Sequence, residues 1–312
     1  MQSRYNIFIE KFLVIAVVCL FSACGLRGQT SFETSEERRP TNTGRKFLFY
    51  SSAVAGSASS YYLLSKAWFG NYDKAPLHTF NDWPEWMQMD KVGHFLTCYH
   101  LGMAGHRSML WTGAKKKTAL WAGGSLGFLF MGGVELLDGF NRDWGFSFSD
   151  LGANAAGSML YISQQLIFER QIITPKFSYR QSPYAQLRPE ILGKSATERW
   201  LKDYNGQVYW LGINLHECQL NQRASWLNIA VGYGADRMIS GRPDNLWQTT
   251  YPWLAPPQRE WYLSLDADLY RIKSRKAWVK TMLHALSFIK IPAPALGFRR
   301  NGGLRFYPLF TG

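Results

Sequence analysis

"DKVGHFLTCYH" (residues 90–100) sets an aspartate, a lysine and a histidine at the start of a long apolar run. Asp90 and His94 are four residues apart, so in a helix they share one face, with Lys91 beside them. The run continues to about Trp111, long enough for a core or spanning helix. Three more apolar stretches of that kind surround it, at 47–65, 118–138 and 149–168. The first of them, "FLFYSSAVAGSASSYYLLS", carries no charge and many small residues, a composition that lets helices approach closely. Four such stretches predict a four-helix bundle over residues 46–172.

The polar residues of the bundle are not scattered. Glu135 and Asp138, three apart, close the third stretch; Asp150 and Asn154, four apart, open the fourth. If consecutive helices run antiparallel, the start of the second, the end of the third and the start of the fourth fall at the same end. Carboxylates gathered in a low dielectric repel, so they are held either by protonation or by Lys91, Arg142, His94 or a metal. His94 and Asp150 suit proton exchange, with Glu135 and Asp138 orienting them; Lys91 and Arg142 suit a phosphate, with Asp90 and Asn154 completing the binding set. A structural reading stands beside this one. Asp90 and Ser149 cap helices, Asp150 complements the helix dipole, and Asn154 ties helices together. His94, His100 and His106 recur at intervals of six, which turns each away from the next, and no HExxH or ExxH pair occurs. No metal and no cofactor is indicated.

At 312 residues with 46% hydrophobic and 16% aromatic content, the chain can bury a sizeable core and is not a disordered protein. Its net charge of +13 would suit nucleic acid, but the basic residues are interspersed with Trp, Phe and Gly-rich runs. No helix-turn-helix, zinc-finger, P-loop or GxGxxG pattern occurs, so nucleic acid is not an expected partner. Anionic membrane lipid, or a lipid-linked phosphate, is the expected one; protein partners cannot be read from the chain.

Arg4 and Lys11 precede "FLVIAVVCLFSAC" (12–24), an apolar run of secretory type, so residues 1–28 read as an export signal. The run ends in "FSAC", which resembles a bacterial lipobox with Cys24 as the residue to be lipidated, although Phe21 stands where leucine is usual. Cleavage just before Gln29 is the alternative. Residues 29–45 are polar and turn-rich and read as a linker. Cys98 and Cys218 read as separate buried thiols rather than a disulfide.

After Pro175 the pattern changes, and residues 173–312 form a second region. "QVYWLGINLHE" (207–217), "SWLNIAVGYGADRM" (225–238) and "EWYLSLDADLY" (260–270) alternate with period two, as half-buried strands do. In the third, Ser264, Asp266 and Asp268 share one face and Trp261, Leu263 and Leu265 the other. A small antiparallel sheet with one wet face fits this; an outer-membrane strand alternates similarly but needs more strands to close. "AWVKTMLHALSFIKIPAPALGF" (277–298) begins as an amphipathic basic helix and ends extended at its prolines. The fold class expected is mainly α: a four-helix bundle core with a smaller C-terminal region containing antiparallel strands and an amphipathic helix.

"DKVGHF" (90–95) followed by "ELLDGFNRDWGFSFSDLGANAAG" (135–157) resembles the predicted periplasmic lipoproteins of the YfiM type, the domain of unknown function 2279. It is similar, more distantly, to the VanZ-like membrane proteins, through Asp90, Lys91, His94, Phe95, Glu135, Ser147, Asp150, Asn154 and Gly157. The chain departs from the VanZ-like pattern at Asp138 and in the position of Arg142. The resemblance implies an exported protein of the bacterial cell envelope, at the periplasmic face of a membrane, and brings no established reaction with it. Basic residues before the first helix, after the second and after the fourth would put the polar end in the periplasm if the helices span; a cleaved signal implies the opposite. A compact domain resting on the membrane reconciles the two, because His94, His100, His106 and Arg107 make the second helix costly in lipid. Two functions remain: binding or acting on a phosphate-bearing lipid headgroup or cell-wall precursor, and a non-enzymatic envelope lipoprotein.

Overall fold

The computed structural model describes residues 41–67, 73–242, 249–299 and 303–310. The export signal, Cys24 and most of the linker lie outside the described residues. The chain forms two compact units, one of residues 41–82 and 94–171 and one of residues 83–93 and 172–310.

The first unit holds four long helices, α1 (Thr43–Ala67), α2 (Met89–Trp111), α3 (Lys116–Asp138) and α4 (Phe148–Phe168), except that residues 89–93 of α2 group with the second unit. α1 starts inside the stretch expected as linker, where the Asn42 side chain accepts a hydrogen bond from the Arg45 amide (2.9 Å). α3 contains a π-helical stretch at Ala119–Gly123 before resuming at Leu126. α2 is the central helix, and every residue along it is buried or half-buried. Its polar side chains therefore meet protein: His106 Nδ1 hydrogen bonds with the Tyr161 hydroxyl (2.7 Å), and the Tyr99 hydroxyl donates to Gln171 Oε1 (3.0 Å). Small residues let the neighbours close on α2. A Cβ at Gly127 would lie 2.3 Å from the Cys98 carbonyl oxygen, and one at Gly157 only 2.1 Å from that of Phe95. The surrounding helices expose large apolar side chains, with Val54 on α1, Leu129 on α3 and Met159 on α4 all more than 60% exposed. α3 is long and apolar enough to cross a membrane by length and composition.

The second unit corrects the expected fold class. Residues 173–310 are not a small appendage to a bundle but a six-stranded antiparallel sheet, and the chain is α plus β rather than mainly α. The strands are β1 (Ile173–Tyr179), β2 (Gln207–Asn214), β3 (Leu227–Asp236), β4 (Gln258–Ala267), β5 (Ala293–Arg299) and β6 (Gly303–Phe310), each paired with the next in chain order. The strands legible from period-two alternation are β2, β3 and β4. The others carry Pro175, Pro294 and Pro308, which argue against strand in a sequence reading. Here Pro175 and Pro308 sit in the two end strands, and Pro294 at an irregularity of the β5–β6 register between Ala293 and Ala295. Helix α5 (Ala196–Lys202), capped by the Ser195 hydroxyl, lies between β1 and β2, and α6 (Ala277–Ala285) between β4 and β5.

The sheet is strongly curled. β2 and β6 are four strands apart, about 19 Å on a flat sheet, yet the rings of Trp210 and Phe310 are 5.5 Å apart. The concave side holds Val208, Trp210, Ala230, Tyr262, Ala295 and Phe310 together with buried ions. Lys176 Nζ lies 2.5 Å from Asp266 Oδ2 and donates to the Ala267 carbonyl (2.7 Å), while Lys290 Nζ donates to the carbonyls of Leu265 and Ile291. Glu260 is paired with Arg299 (2.5 Å) and accepts from the Tyr262 hydroxyl. Gly232 makes room for this filling, since a Cβ there would sit 2.7 Å from the Trp210 ring.

The expected wet face is thereby inverted. Gln258, Glu260, Tyr262, Ser264 and Asp266 are the buried residues of β4, and Arg259, Trp261, Leu263 and Leu265 are its outer ones, the last three each about half exposed.

Candidate functional site

The helical unit carries a buried polar network at the end where α3 finishes and α4 begins. Ser147, in extended conformation, is the cap of α4: its Oγ accepts from the Asp150 amide (3.0 Å) and donates to Asp82 Oδ1 (2.6 Å). Ser149, expected as the cap, instead donates its hydroxyl to the same Asp82 oxygen (2.6 Å). The Ser147 amide points at Glu135 Oε2 (3.4 Å), so the Glu135 carboxylate meets the positive end of α4. Its other oxygen, Oε1, is 3.4 Å from His94 Nδ1.

Asn154, one turn beyond Asp150, faces α2 from the other side. Its Oδ1 accepts from Cys98 Sγ (3.2 Å) and lies 3.1 Å from His94 Nδ1. Its Nδ2 finds no hydrogen-bond partner among the described residues, although the side chain is fully buried. Burial, and then the Glu135 carboxylate, push the Cys98 thiol well above its ordinary range. Two acceptor oxygens, Asn154 Oδ1 at 3.1 Å and Glu135 Oε1 at 3.4 Å, thus lie near Nδ1, which favours the tautomer with the proton on Nδ1 and Nε2 as the accepting nitrogen. The His94 side chain keeps 13% exposure, whereas that of Glu135 keeps 2%.

His94, Glu135, Ser147, Asp150 and Asn154 are thus brought together. Asp138 is half-buried at the end of α3. Arg142 stands at the surface, its guanidinium 3.2 Å from Asp73, with both side chains more than 70% exposed. Asp90 and Lys91 belong to the stretch 83–93 that groups with the sheet, where Asp90 Oδ1 accepts from the Tyr204 hydroxyl (2.6 Å) and Lys91 is buried. Just before them the chain makes a left-handed turn at Trp86, Met87 and Gln88 (φ 47°, 51° and 64°), a conformation that costs each such residue about 1–3 kcal/mol. It is held by the Trp86 amide on the Gly241 carbonyl (2.8 Å), the Tyr233 hydroxyl on the Met87 carbonyl, and Arg259 on the Gln88 amide oxygen (2.6 Å).

Sequence reasoning did not reach Asp82 or the role of Cys98. Asp82 sits in a Trp- and Pro-rich loop with no periodicity to place it. Cys98 was legible only as i+4 from His94. Of the two thiols expected to be buried, Cys218 is exposed.

Residues 79–164 match the family model described as predicted periplasmic lipoprotein (DUF2279). That description agrees with export to the envelope, and the matched span contains every residue of the network above. It ends before β1, so the sheet has no counterpart in it, and the VanZ-like similarity rests on the motif residues alone. Comparisons with curated proteins and with solved structures found no match.

Proposed function

We propose that this exported protein works at a membrane of the envelope, where its helical unit binds a phosphate-bearing lipid headgroup or cell-wall precursor and exchanges a proton with it. The observation that supports this is the setting of His94: Nδ1 is held between Glu135 and Asn154, both buried, while the ring keeps partial access to solvent. A carboxylate behind one ring nitrogen orients a histidine for acid and base work at the other. Arg142 supplies the cation. An exposed pair such as Arg142–Asp73 contributes about 0–1 kcal/mol, so Arg142 can exchange Asp73 for a phosphate at little cost. The exposed apolar side chains of α1, α3 and α4, among them Val54, Leu129 and Met159, fit a protein that works against lipid.

A second reading, a structural knot in a non-enzymatic lipoprotein, draws on the same contacts, because Asn154 joins α4 to α2 and Glu135 joins α3 to the cap of α4. The two separate by experiment. Full-length protein is added to vesicles of phosphatidylglycerol, with and without a polyprenyl phosphate, and followed by phosphorus NMR and by thermal unfolding. Proton exchange at a bound phosphate predicts a shifted or converted phosphorus signal that His94→Gln and Arg142→Gln abolish with the melting temperature retained. Unchanged phosphorus signals with wild-type protein, together with a lowered melting temperature in His94→Gln, overturn the proposal in favour of the knot.

A further inference from the structure

The outer side of the curled sheet is apolar in every strand. Register places its residues in rows: Phe177, Tyr209, Tyr233, Trp261, Phe298 and Leu304; then Pro175, Leu211, Val231, Leu263, Leu296 and Phe306; then Ile173, Ile213, Ile229 and Leu265. Five of the six residues in the first row are aromatic; Trp261 and Phe298 are about half exposed and Tyr233 is half-buried, whereas Phe177, packed on Trp200, and Tyr209 are buried, as is Pro175 in the second row. From Val231 on β3 to Phe306 on β6, the second row is between 40% and 61% exposed. Apart from Arg259 at the end of β4, the charged residues of the strands lie on the concave side, where Lys176, Glu260 and Asp266 are buried beside Lys290. A water-soluble sheet does the reverse. The arrangement has the alternation of a lipid-facing sheet, apolar outward and polar inward, with an aromatic row at one end of the apolar band.

We infer that this outer face seats on a lipid bilayer. Charge favours lipid as the occupant. Arg259 flanks the aromatic row on the same face, beyond Trp261, and Lys273, Arg275 and Lys276 are exposed beside α6. Within α6 itself, His284 is turned inward and stacked on Tyr270, which leaves Trp278, Met282 and Leu286, each four apart, exposed in one stripe. A short helix with an apolar stripe and basic neighbours is built for the headgroup boundary. Protein interfaces, by contrast, are about 56–65% apolar and carry a polar rim, whereas no charge interrupts the three rows. The basic surroundings complement anionic headgroups.

The sheet lies on one leaflet and does not cross. From Tyr233 to Ile229 the band covers about 14 Å along the strand, and tilt shortens that further, against the ~25 Å of a spanning barrel. In addition β6 is an end strand with no further strand paired to it among the described residues, and an unpaired strand edge is not tolerated in hydrocarbon. Laid face-down, the outer side chains reach the acyl boundary while the strand edges stay among headgroups.

This inference concerns the second unit and does not depend on the chemistry proposed for His94. The test uses the full chain with Cys19→Ser, Cys24→Ser and Cys218→Ser, which leaves the buried Cys98 as the one native thiol, and an environment-sensitive fluorophore attached at Leu263→Cys or Leu296→Cys. Both positions are surface residues, and circular dichroism confirms that each labelled protein is folded. The protein is reconstituted into phosphatidylethanolamine–phosphatidylglycerol vesicles, so membrane attachment through other parts of the chain does not affect the readout. The expected result is a blue-shifted probe that loses most of its emission to spin-labelled lipids and little to iodide. Quenching by iodide alone shows the face in water and overturns the inference. A probe reached by neither quencher shows the face covered by protein, a second copy if the labelled chains also cross-link, and overturns it equally.

Discussion

Replacing Gly157 by alanine tests the helix contact on which the polar network rests. A Cβ there would lie 2.1 Å from the Phe95 carbonyl oxygen and 2.9 and 3.0 Å from the carbonyl carbon and Cα of the same residue. These atoms are backbone, so no side chain can swing aside, and α4 must move away from α2 by roughly 1 Å to reach ordinary packing distance. His94 directly precedes Phe95, and Asn154 lies one turn before Gly157. The displacement therefore stretches the 3.1 Å and 3.2 Å contacts that Asn154 makes with His94 and Cys98. Alanine's better helix propensity contributes about 1 kcal/mol of stabilisation. Overpacking costs about 1–3 kcal/mol, and each weakened buried hydrogen bond costs about 1 kcal/mol. The net expectation is a loss of about 2–4 kcal/mol. Gly152 on the same helix provides the control: it is exposed and has nothing within 4 Å of its Cβ position. Gly152→Ala should stabilise by about 1 kcal/mol. Thermal and denaturant unfolding of the two variants, followed by circular dichroism, should move in opposite directions. A Gly157→Ala protein as stable as the parent would refute the close approach of α2 and α4, and with it the geometry assigned to His94.

Two further expectations concern the sheet. Lys176→Met leaves Asp266 buried without its nearest cation and should cost about 3–5 kcal/mol, whereas Lys176→Met combined with Asp266→Leu should recover much of that loss; a single variant with parental stability would show the pair to be open to water. The ammonium of Lys290 is brought down to about 8 by burial, although Asp266 opposes the shift. A base whose folded value lies below its unfolded one binds fewer protons when folded, so its contribution to stability rises with pH from about 8 toward the ordinary lysine range near 10.5. Melting temperature should therefore climb between about pH 7.5 and 9.5, before the tyrosines of the unfolded chain ionise, and Lys290→Met should flatten that slope.

Much of the helical site was legible because its signals are local. The spacings Asp90–His94, Glu135–Asp138 and Asp150–Asn154 each fix a helix face, and antiparallel order gathers helix ends. Asp82 was not legible, because a loop residue is placed by the fold and not by a period. Arg142 was attached to the site by charge alone, and the structure pairs it with Asp73 at the surface.

In the C-terminal half, alternation determined which residues of β2, β3 and β4 share a face. It could not say which face is covered. That depends on the curl of the sheet, which brings Trp210 to Phe310 across four strands and Lys176 to Asp266 across three, contacts between residues up to a hundred positions apart. Proline also hid β1, β5 and β6, since its missing N–H rules out a central strand but not an end strand or an irregular register. The sequence by itself therefore determined the helices, their polar ends and the period of the strands. Only the tertiary structure decided that the sheet buries its ions and turns its leucines, tryptophan and phenylalanines outward, because burial is a property of what packs against a residue and not of the residue.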